Sequence, residues 1–398
     1  MSESKRQGEQ ARPEPGTPGT PGTGGWGEVL ATGWPAAPAP PELPPPDAGL
    51  TAAERILAAA AGDPAVLPIP EEFGGGGGDL LRAASVQRNM ALADPSIAVA
   101  LNMHMLSVGL MTDHWRRERD TSWMLLEAIA NGHDLVASAF AEPGGSPNIL
   151  RSTTRAERTE GGFRLTGVKF PCSLATTAKL FCLSAQVVGE DVTIVALCPA
   201  RSPGLKVTGS WPSLGMSASD TARVELTDVE IDRRLVFHEA PAGTIDDVVI
   251  GGLVWFAVLI SATYHGVLSG LVELAAGGPP RLPARVREAA LTSAAGELAA
   301  FGSSAQGLAH AWTNELVAGD AALVAAAALR LRLSAVTDRV LAALRPVLGA
   351  AAYTAGAPAS RRVLDALAAH HHPPSLPLCE SLIAAAGAGR ELSLDLRS

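Results

Sequence analysis

Ala137–Ser146 reads ASAFAEPGGS, Gly161–Phe181 reads GGFRLTGVKFPCSLATTAKLF, and Trp211–Ile231 reads WPSLGMSASDTARVELTDVEI. These stretches carry short alternating apolar and polar runs closed by Gly, Pro, Ser or Asn, the pattern of half-buried strands. LFCLSAQV, DVTIVALC and KVTGSW between them read the same way. Glu160-Gly161-Gly162, between RAER and FRLTG, signals a hairpin. A small β domain is therefore expected over 134–241.

Outward from it, the pattern is helical on both sides. Thr51 reads as an N-cap with Glu54 in the capping-box position. Helical periodicity covers 79–93, 95–113 and 123–130, so 49–133 reads as an N-terminal helical domain. From 242 to 398 come long Ala- and Leu-rich segments at 245–276, 284–317 and 321–348. Shorter ones follow at 361–369 and 376–388, and the set suggests a four-helix bundle. The expected class is α+β: a helical domain, a small β domain and a C-terminal bundle. Residues 1–48 are Pro- and Gly-rich, and proline's missing amide and glycine's ordering entropy make them read as a disordered tail. Gly74–Gly78 have no Lys-Ser/Thr after them and no strand before. A flexible turn is the expectation there, not a phosphate loop.

Composition narrows the functions. Hydrophobic residues make up 47% of the 398 and aromatics 4%, so the core is built of Ala, Leu and Val. A net charge of −9 excludes a basic nucleic-acid footprint. Four cysteines show neither CxxC nor metal-ligand spacing, which points to reduced thiols, a cytoplasmic location and no metal site. Val248–Ala262 is short for a membrane span, and no secretory signal is legible, so no membrane association is expected.

Five stretches in order resemble the acyl-CoA dehydrogenase family. LPIPEEFGG with LADPSIAVALNMHM (Leu92–Met105) is similar to its N-terminal helices, and AEPGGSPN (Ala141–Asn148) to "T-E-P-x-A-G-S-D". GGFRLTGVKFPCSLATTAKLF is similar to "G-x-x-L-N-G-x-K-x-W-I-T-N". WPSLGMSASDTARVELTDVEI resembles "L-G-x-R-x-S-x-T-x-x-V-x-F-x-D-V", and LGAAAYTAGAPASRRVLD (Leu348–Asp365) resembles "G-G-x-G-Y…R-x-x-R-D". The resemblance implies FAD, with FMN as the other option, and a homodimer or homotetramer built through the bundle. It places Phe140, Ala141, Pro171 and Ser173 along the flavin ring, Gly349 by the pyrophosphate, and Ser146 beside an acyl thioester of CoA or a carrier protein. Ala141 stands where the family has a hydroxyl and Pro171 where it has an aromatic. Gly349-Ala350-Ala351-Ala352 replaces a Gly-Gly-x-Gly signature, whose added methyls hinder backbone approach to a phosphate. Weakened FAD binding, or FMN, follows.

The family's catalytic glutamate has no counterpart. Counting from Asp365 puts Pro373 at its usual place, and counting back from Gly266 puts Phe256 at the minority place. Neither accepts a proton. Substitutes are His372, in His370-His371-His372; Glu380, seven residues past Pro373; and His104, on an apolar helix. Three functions remain open. The first, which the family resemblance favours, is α,β-desaturation of an acyl thioester with a relocated base and an electron acceptor. The second is a monooxygenase using reduced flavin from a reductase partner. The third is a non-catalytic scaffold.

Overall fold

Thr51 caps its helix as expected: its Oγ1 accepts from Glu54 N at 3.2 Å, and the Glu54 carboxylate accepts from Thr51 N at 2.8 Å. This computed structural model describes residues 26–36, 43, 49–61, 63–144, 148 and 150–397. The helical layer ahead of the sheet holds α1 (Trp26–Ala31), α2 (Ala52–Ala60), α3 (Asp63–Val66), α4 (Leu80–Ala93), α5 (Pro95–Glu118) and α6 (Trp123–Gly132). The sheet holds β1 (Val136–Ala139), β2 (Arg155–Arg158), β3 (Gly162–Cys172), β4 (Leu180–Val187), β5 (Val192–Pro199), β6 (Leu205–Thr208), β7 (Ala222–Asp232) and β8 (Val236–Pro241). The bundle holds α7 (Asp247–Gly277), α8 (Ala284–Thr313), α9 (Gly319–Leu348), α10 (Pro358–Leu367) and α11 (Leu376–Gly387). The three-part α+β order is that of the sequence reading.

Strand order is β6-β7-β3-β2-β4-β5-β8, with β1 paired to β4 off this path. β2 and β3 form the antiparallel hairpin across Glu160-Gly161-Gly162. β1 and β2 both run parallel to β4, one after the other along its length.

α7 is the central post. It starts on Asp246, whose Oδ1 accepts from Val249 N at 3.0 Å, and it packs against α4, α5, α8, α9 and α10. Close packing is bought with small residues. At Gly266 a Cβ would stand 2.2 Å from Arg88 O, so α4 crosses α7 at backbone distance only because glycine is there. The apolar run Val248–Ala262 thus lies within a helix of 31 residues. By length and composition α5 and α7 are apolar enough to cross a membrane, but 94% and 78% of those windows are buried in the fold.

Two expectations are corrected. Residues 26–36, read as part of a disordered tail, contain α1: Leu30 is buried, its carbonyl accepts from Arg88 Nη2 at 3.0 Å, and Trp34 packs edge-on against His265. Aromatic and aliphatic anchors outweigh the surrounding Pro/Gly composition there. The rest of 1–48 lies almost wholly outside the described residues. The pentaglycine is not a loose turn either. The amides of Gly75, Gly76, Gly77 and Gly78 donate to the carbonyls of Pro70, Val66, Ile69 and Leu67 at 2.8–3.1 Å. A Cβ at Gly75 would meet Ile69 O at 2.1 Å. Those amides are spent internally and cannot cradle a phosphate.

Gly266→Ala is expected to push α4 off α7 and cost about 1–3 kcal/mol, the range for overpacking. Urea unfolding followed by circular dichroism reads it, and an unchanged midpoint would contradict the crossing described.

Candidate functional site

The site begins where the sheet splits. β4 pairs with β1 over Leu180–Leu183 and with β2 at Gln186 and Val187, so Ser184 lies between one partner and the next. Its carbonyl accepts from Lys169 Nζ at 2.8 Å, and Ser152 Oγ lies 3.1 Å from it. Lys169 reaches in from β3, wholly buried, and its Nζ stands 2.6 Å from Glu142 Oε1. The Glu142 carboxylate also accepts from Ser152 Oγ at 2.5 Å, from Thr153 N and Oγ1 at 2.6 Å, and from Thr154 N at 3.2 Å. Burial alone raises the Glu142 pKa. The Lys169 charge and its hydrogen bond, with those of Ser152 and Thr153, outweigh it and hold the carboxyl at about 2. Burial lowers the Lys169 pKa, and Glu142 opposes that. Glu142 is ionised at neutral pH, and its charge favours the ammonium form of Lys169 against burial.

Two strand ends leave this pair side by side. Phe170 N donates to Ala141 O at 2.9 Å, and the buried Cys172 packs its Sγ 3.9 Å from Ser138 O. Past β1 come Phe140, packed against the inner core, and half-buried Ala141. At the end of β3, Pro171 is exposed after a cis Phe170–Pro171 bond, and half-buried Ser173 bonds Thr221 Oγ1 at 2.8 Å. Trp211, exposed, sets its ring edge-on to Phe170 at 6.3 Å. The 211–216 loop is tied to the bundle by Met216 N, which donates to Asp365 Oδ1 at 2.7 Å. A flavin ring needs a flat apolar seat with hydrogen-bonding groups along one edge. Exposed Pro171 and Trp211 beside the Ser173 hydroxyl fit that demand. Gly349, at the C-cap of α9, is exposed, and Ser146 lies outside the described residues.

The base candidates separate clearly. Glu380 is exposed on α11 and aims at solvent, which corrects its reading as a base in this chain's own site. His104 is a core histidine, a second correction. Its Nδ1 accepts from Val136 N at 3.0 Å and its Nε2 bonds Ala65 O at 2.8 Å, so neither nitrogen is free to take a substrate proton. Burial, against the Ala65 bond, pulls its pKa down to about 4. His372 alone sits among site residues. Its Nε2 is 2.7 Å from Tyr264 Oη and its ring 6.2 Å from that of Phe256. Arg330, wholly buried, donates to the His372 carbonyl through Nη2 at 2.7 Å. Burial, then the charges of Arg330 and His371, lower the His372 pKa to about 3. That is below an ordinary glutamate, so the imidazole is neutral and a weak base.

Lys169, Glu142, Tyr264 and Arg330 were missed as site residues. Lys169 falls on the same inward parity of β3 as buried Phe163 and Leu165, a charged residue on a core face, and that signal was available. Tyr264 and Arg330 had none, since each lies on a helix otherwise rich in core residues.

An N-terminal helical layer, a split β sheet and a helical bundle make up the architecture in which this open strand end lies. Residues 137–229 match the acyl-CoA dehydrogenase middle domain. Isobutylamine N-hydroxylase of Streptomyces viridifaciens is 34% identical over 218 residues, 52% of this chain and 57% of that one. The chain thus spans little more than half the length of this relative. The solved nitrososynthase of Micromonospora carbonacea var. africana superposes with a TM-score of 0.74 at 24% identity, covering 85% of this chain and 90% of that one. Butyryl-CoA dehydrogenase of Megasphaera elsdenii gives a TM-score of 0.73 at 17% identity, covering 84% and 90%. The chain thus resembles acyl-CoA dehydrogenase-like flavoproteins, in sequence over 137–229 and in fold over most of its length.

Lys169→Met leaves the Glu142 carboxylate buried and unpaired, and is expected to cost about 3–5 kcal/mol at pH 7. Lys169→Met combined with Glu142→Leu costs much less, because no charge is stranded. Urea titrations compare them, and a single variant as stable as the double contradicts the pair's role.

His104, His265 and His372 are all held neutral by burial, with pKa values of about 4, 3 and 3. Their folded values lie below the unfolded 6.5, so on acidification the unfolded chain takes up their protons first and stability falls. Near pH 5 the three together give a slope of about 4 kcal/mol per pH unit. Unfolding free energies measured between pH 6 and 4.5 test this, and a slope near zero refutes it.

Proposed function

We propose that this chain is a flavin-dependent monooxygenase that takes reduced flavin from a separate reductase and transfers oxygen to the nitrogen of a small amine. The observation that carries the reading is a site without a proton-abstracting carboxylate. Phe256 and Pro373 occupy both places where the family resemblance puts one, Glu380 faces solvent, and the histidine whose ring lies near Phe256 is weakly basic. Desaturation requires a base able to take an α-proton while hydride leaves the β-carbon. Oxygen transfer to an amine requires only the nitrogen lone pair. The 34% identity to an amine N-hydroxylase supports the same choice.

The residues have definite tasks under this reading. Pro171, Trp211, Ala141 and Ser173 would seat the flavin ring, and Phe140 backs the strand end. FMN and FAD both fit this account, since the Gly349–Ala352 turn, exposed at Gly349 and Ala350, carries methyls where the family resemblance puts the phosphate end. Reduced flavin supplies the two electrons needed to place one atom of O2 on substrate and the other in water. Arg330, buried against the His372 carbonyl, brings a positive charge close to the Phe256–His372 wall, and burial with a nearby cation favours the free amine over its ammonium form, leaving the lone pair available. The Tyr264–His372 pair shares a proton across 2.7 Å and fixes the turn ahead of Pro373. A homodimer or homotetramer and a cytoplasmic location belong to this proposal.

The test mixes the purified chain with anaerobically reduced FMN or FAD, then oxygen and short primary amines. One N-hydroxylated product and one water per reduced flavin and O2 consumed is the expected balance, with no bleaching of oxidised flavin by acyl thioesters. Thioester-dependent bleaching would restore the desaturase reading. Neither reaction, with no flavin bound, would leave a scaffold.

A further inference from the structure

Three hydroxyls run inward from the exposed end of β3. Ser173 Oγ lies 2.8 Å from Thr221 Oγ1, and Thr221 Oγ1 lies 2.8 Å from Ser219 Oγ. Ser219 Oγ in turn donates to Met216 O at 2.8 Å. Ser219 is buried, while Ser173 is half-buried at the strand end. Each hydroxyl has one proton to give, and a carbonyl only accepts. The Ser219 proton goes to Met216, so Ser219 accepts from Thr221, and Thr221 accepts from Ser173. The direction of the whole chain is set at its buried end. Ser173 therefore spends its proton inward and faces outward with lone pairs only. Among the described residues its Oγ has no second hydrogen-bond partner.

We infer that this hydroxyl chain makes Ser173 an acceptor-only contact, and that the ligand it selects is reduced flavin, which carries an N–H at the ring nitrogen where oxidised flavin carries a lone pair. The inference rests on the flavin seat proposed above and adds its redox preference. Counting bonds shows why. With an N–H ligand the chain keeps its three internal bonds and gains one to the ligand. With a lone-pair ligand Ser173 must turn its proton outward, giving up its bond to Thr221 or, if the chain reverses, that of Ser219 to Met216, and either way two internal bonds plus one remain. One net hydrogen bond separates the two arrangements, about fivefold in affinity. A site of this polarity holds the flavin that arrives from a reductase and loosens once it is oxidised, so exchange of spent flavin is built into a serine and two neighbours. No charged group is needed for it.

The test measures dissociation constants of the full chain for oxidised FMN in air and for photoreduced FMN under argon, by ultrafiltration. Wild type is expected to bind reduced FMN at least about fivefold more tightly. Thr221→Val breaks the chain and frees the Ser173 proton, so the preference should fall close to one. Ser219→Ala should do the same by a different cut, and covers the case in which Thr221→Val does not fold. Thr221→Ser keeps the hydroxyl and should keep the preference. Equal affinity for the two flavins in wild type, or a ratio unchanged in both chain-breaking variants, overturns the inference while flavin binding itself stands. Loss of amine affinity in those variants with no change in the flavin ratio also overturns it, by assigning Ser173 to the substrate. No binding of either flavin to wild type refutes the seat, and the inference with it.

Discussion

The buried Lys169–Glu142 pair is what the β domain is arranged around. β4 changes partner from β1 to β2 at Ser184, and a sheet that changes partner needs polar groups at the seam. Lys169 supplies one, bonding Ser184 O and Glu142 together. Desolvating two charges is costly, and the attraction between them repays it only when the remaining lone pairs are satisfied. Ser152, Thr153 and Thr154 provide those bonds, so residues 152–154 are drawn onto one carboxylate. The segments that emerge on either side, 140–141 and 170–173, are then held in contact through Phe170 N and Ala141 O. An open strand end with fixed backbone suits the planar ligand proposed for it, and it exists because the seam beneath it is closed.

The bundle sets the other half of the chemistry by what it lacks. α7 brings Phe256 and Tyr264 toward the turn that carries His372, and Arg330 on α9 holds that turn by its carbonyls. Arg330 raises the local positive potential and burial removes water, and both keep His372 unprotonated. A buried cation beside a weak base suits the proposed reaction, which needs a free lone pair on the substrate. It does not suit removal of a carbon-bound proton.

Much of this was legible in the chain. The strand alternation, the Glu160-Gly161-Gly162 hairpin, the Thr51–Glu54 box and the long Ala/Leu helices each rest on local patterns, and the structure shows each of them. What escaped was whatever depends on partners distant in sequence. Trp26, Leu30 and Trp34 sit in a Pro/Gly-rich context, and only the α7–α8 surface and Arg88 explain why they order. The pentaglycine looked loose because nothing local shows that its amides return to 66–70. His104, Glu380 and His372 are equally plausible bases as letters. Their difference is burial and hydrogen bonding, and those belong to tertiary structure.

The most direct measurement is a crystal structure of the full chain grown anaerobically with reduced FMN. The account requires the ring to lie against Ala141, Pro171 and Ser173, with Lys169 and Glu142 paired behind it and no carboxylate beside the ring. A ring seated elsewhere, or a glutamate such as Glu380 brought to its edge, would contradict it.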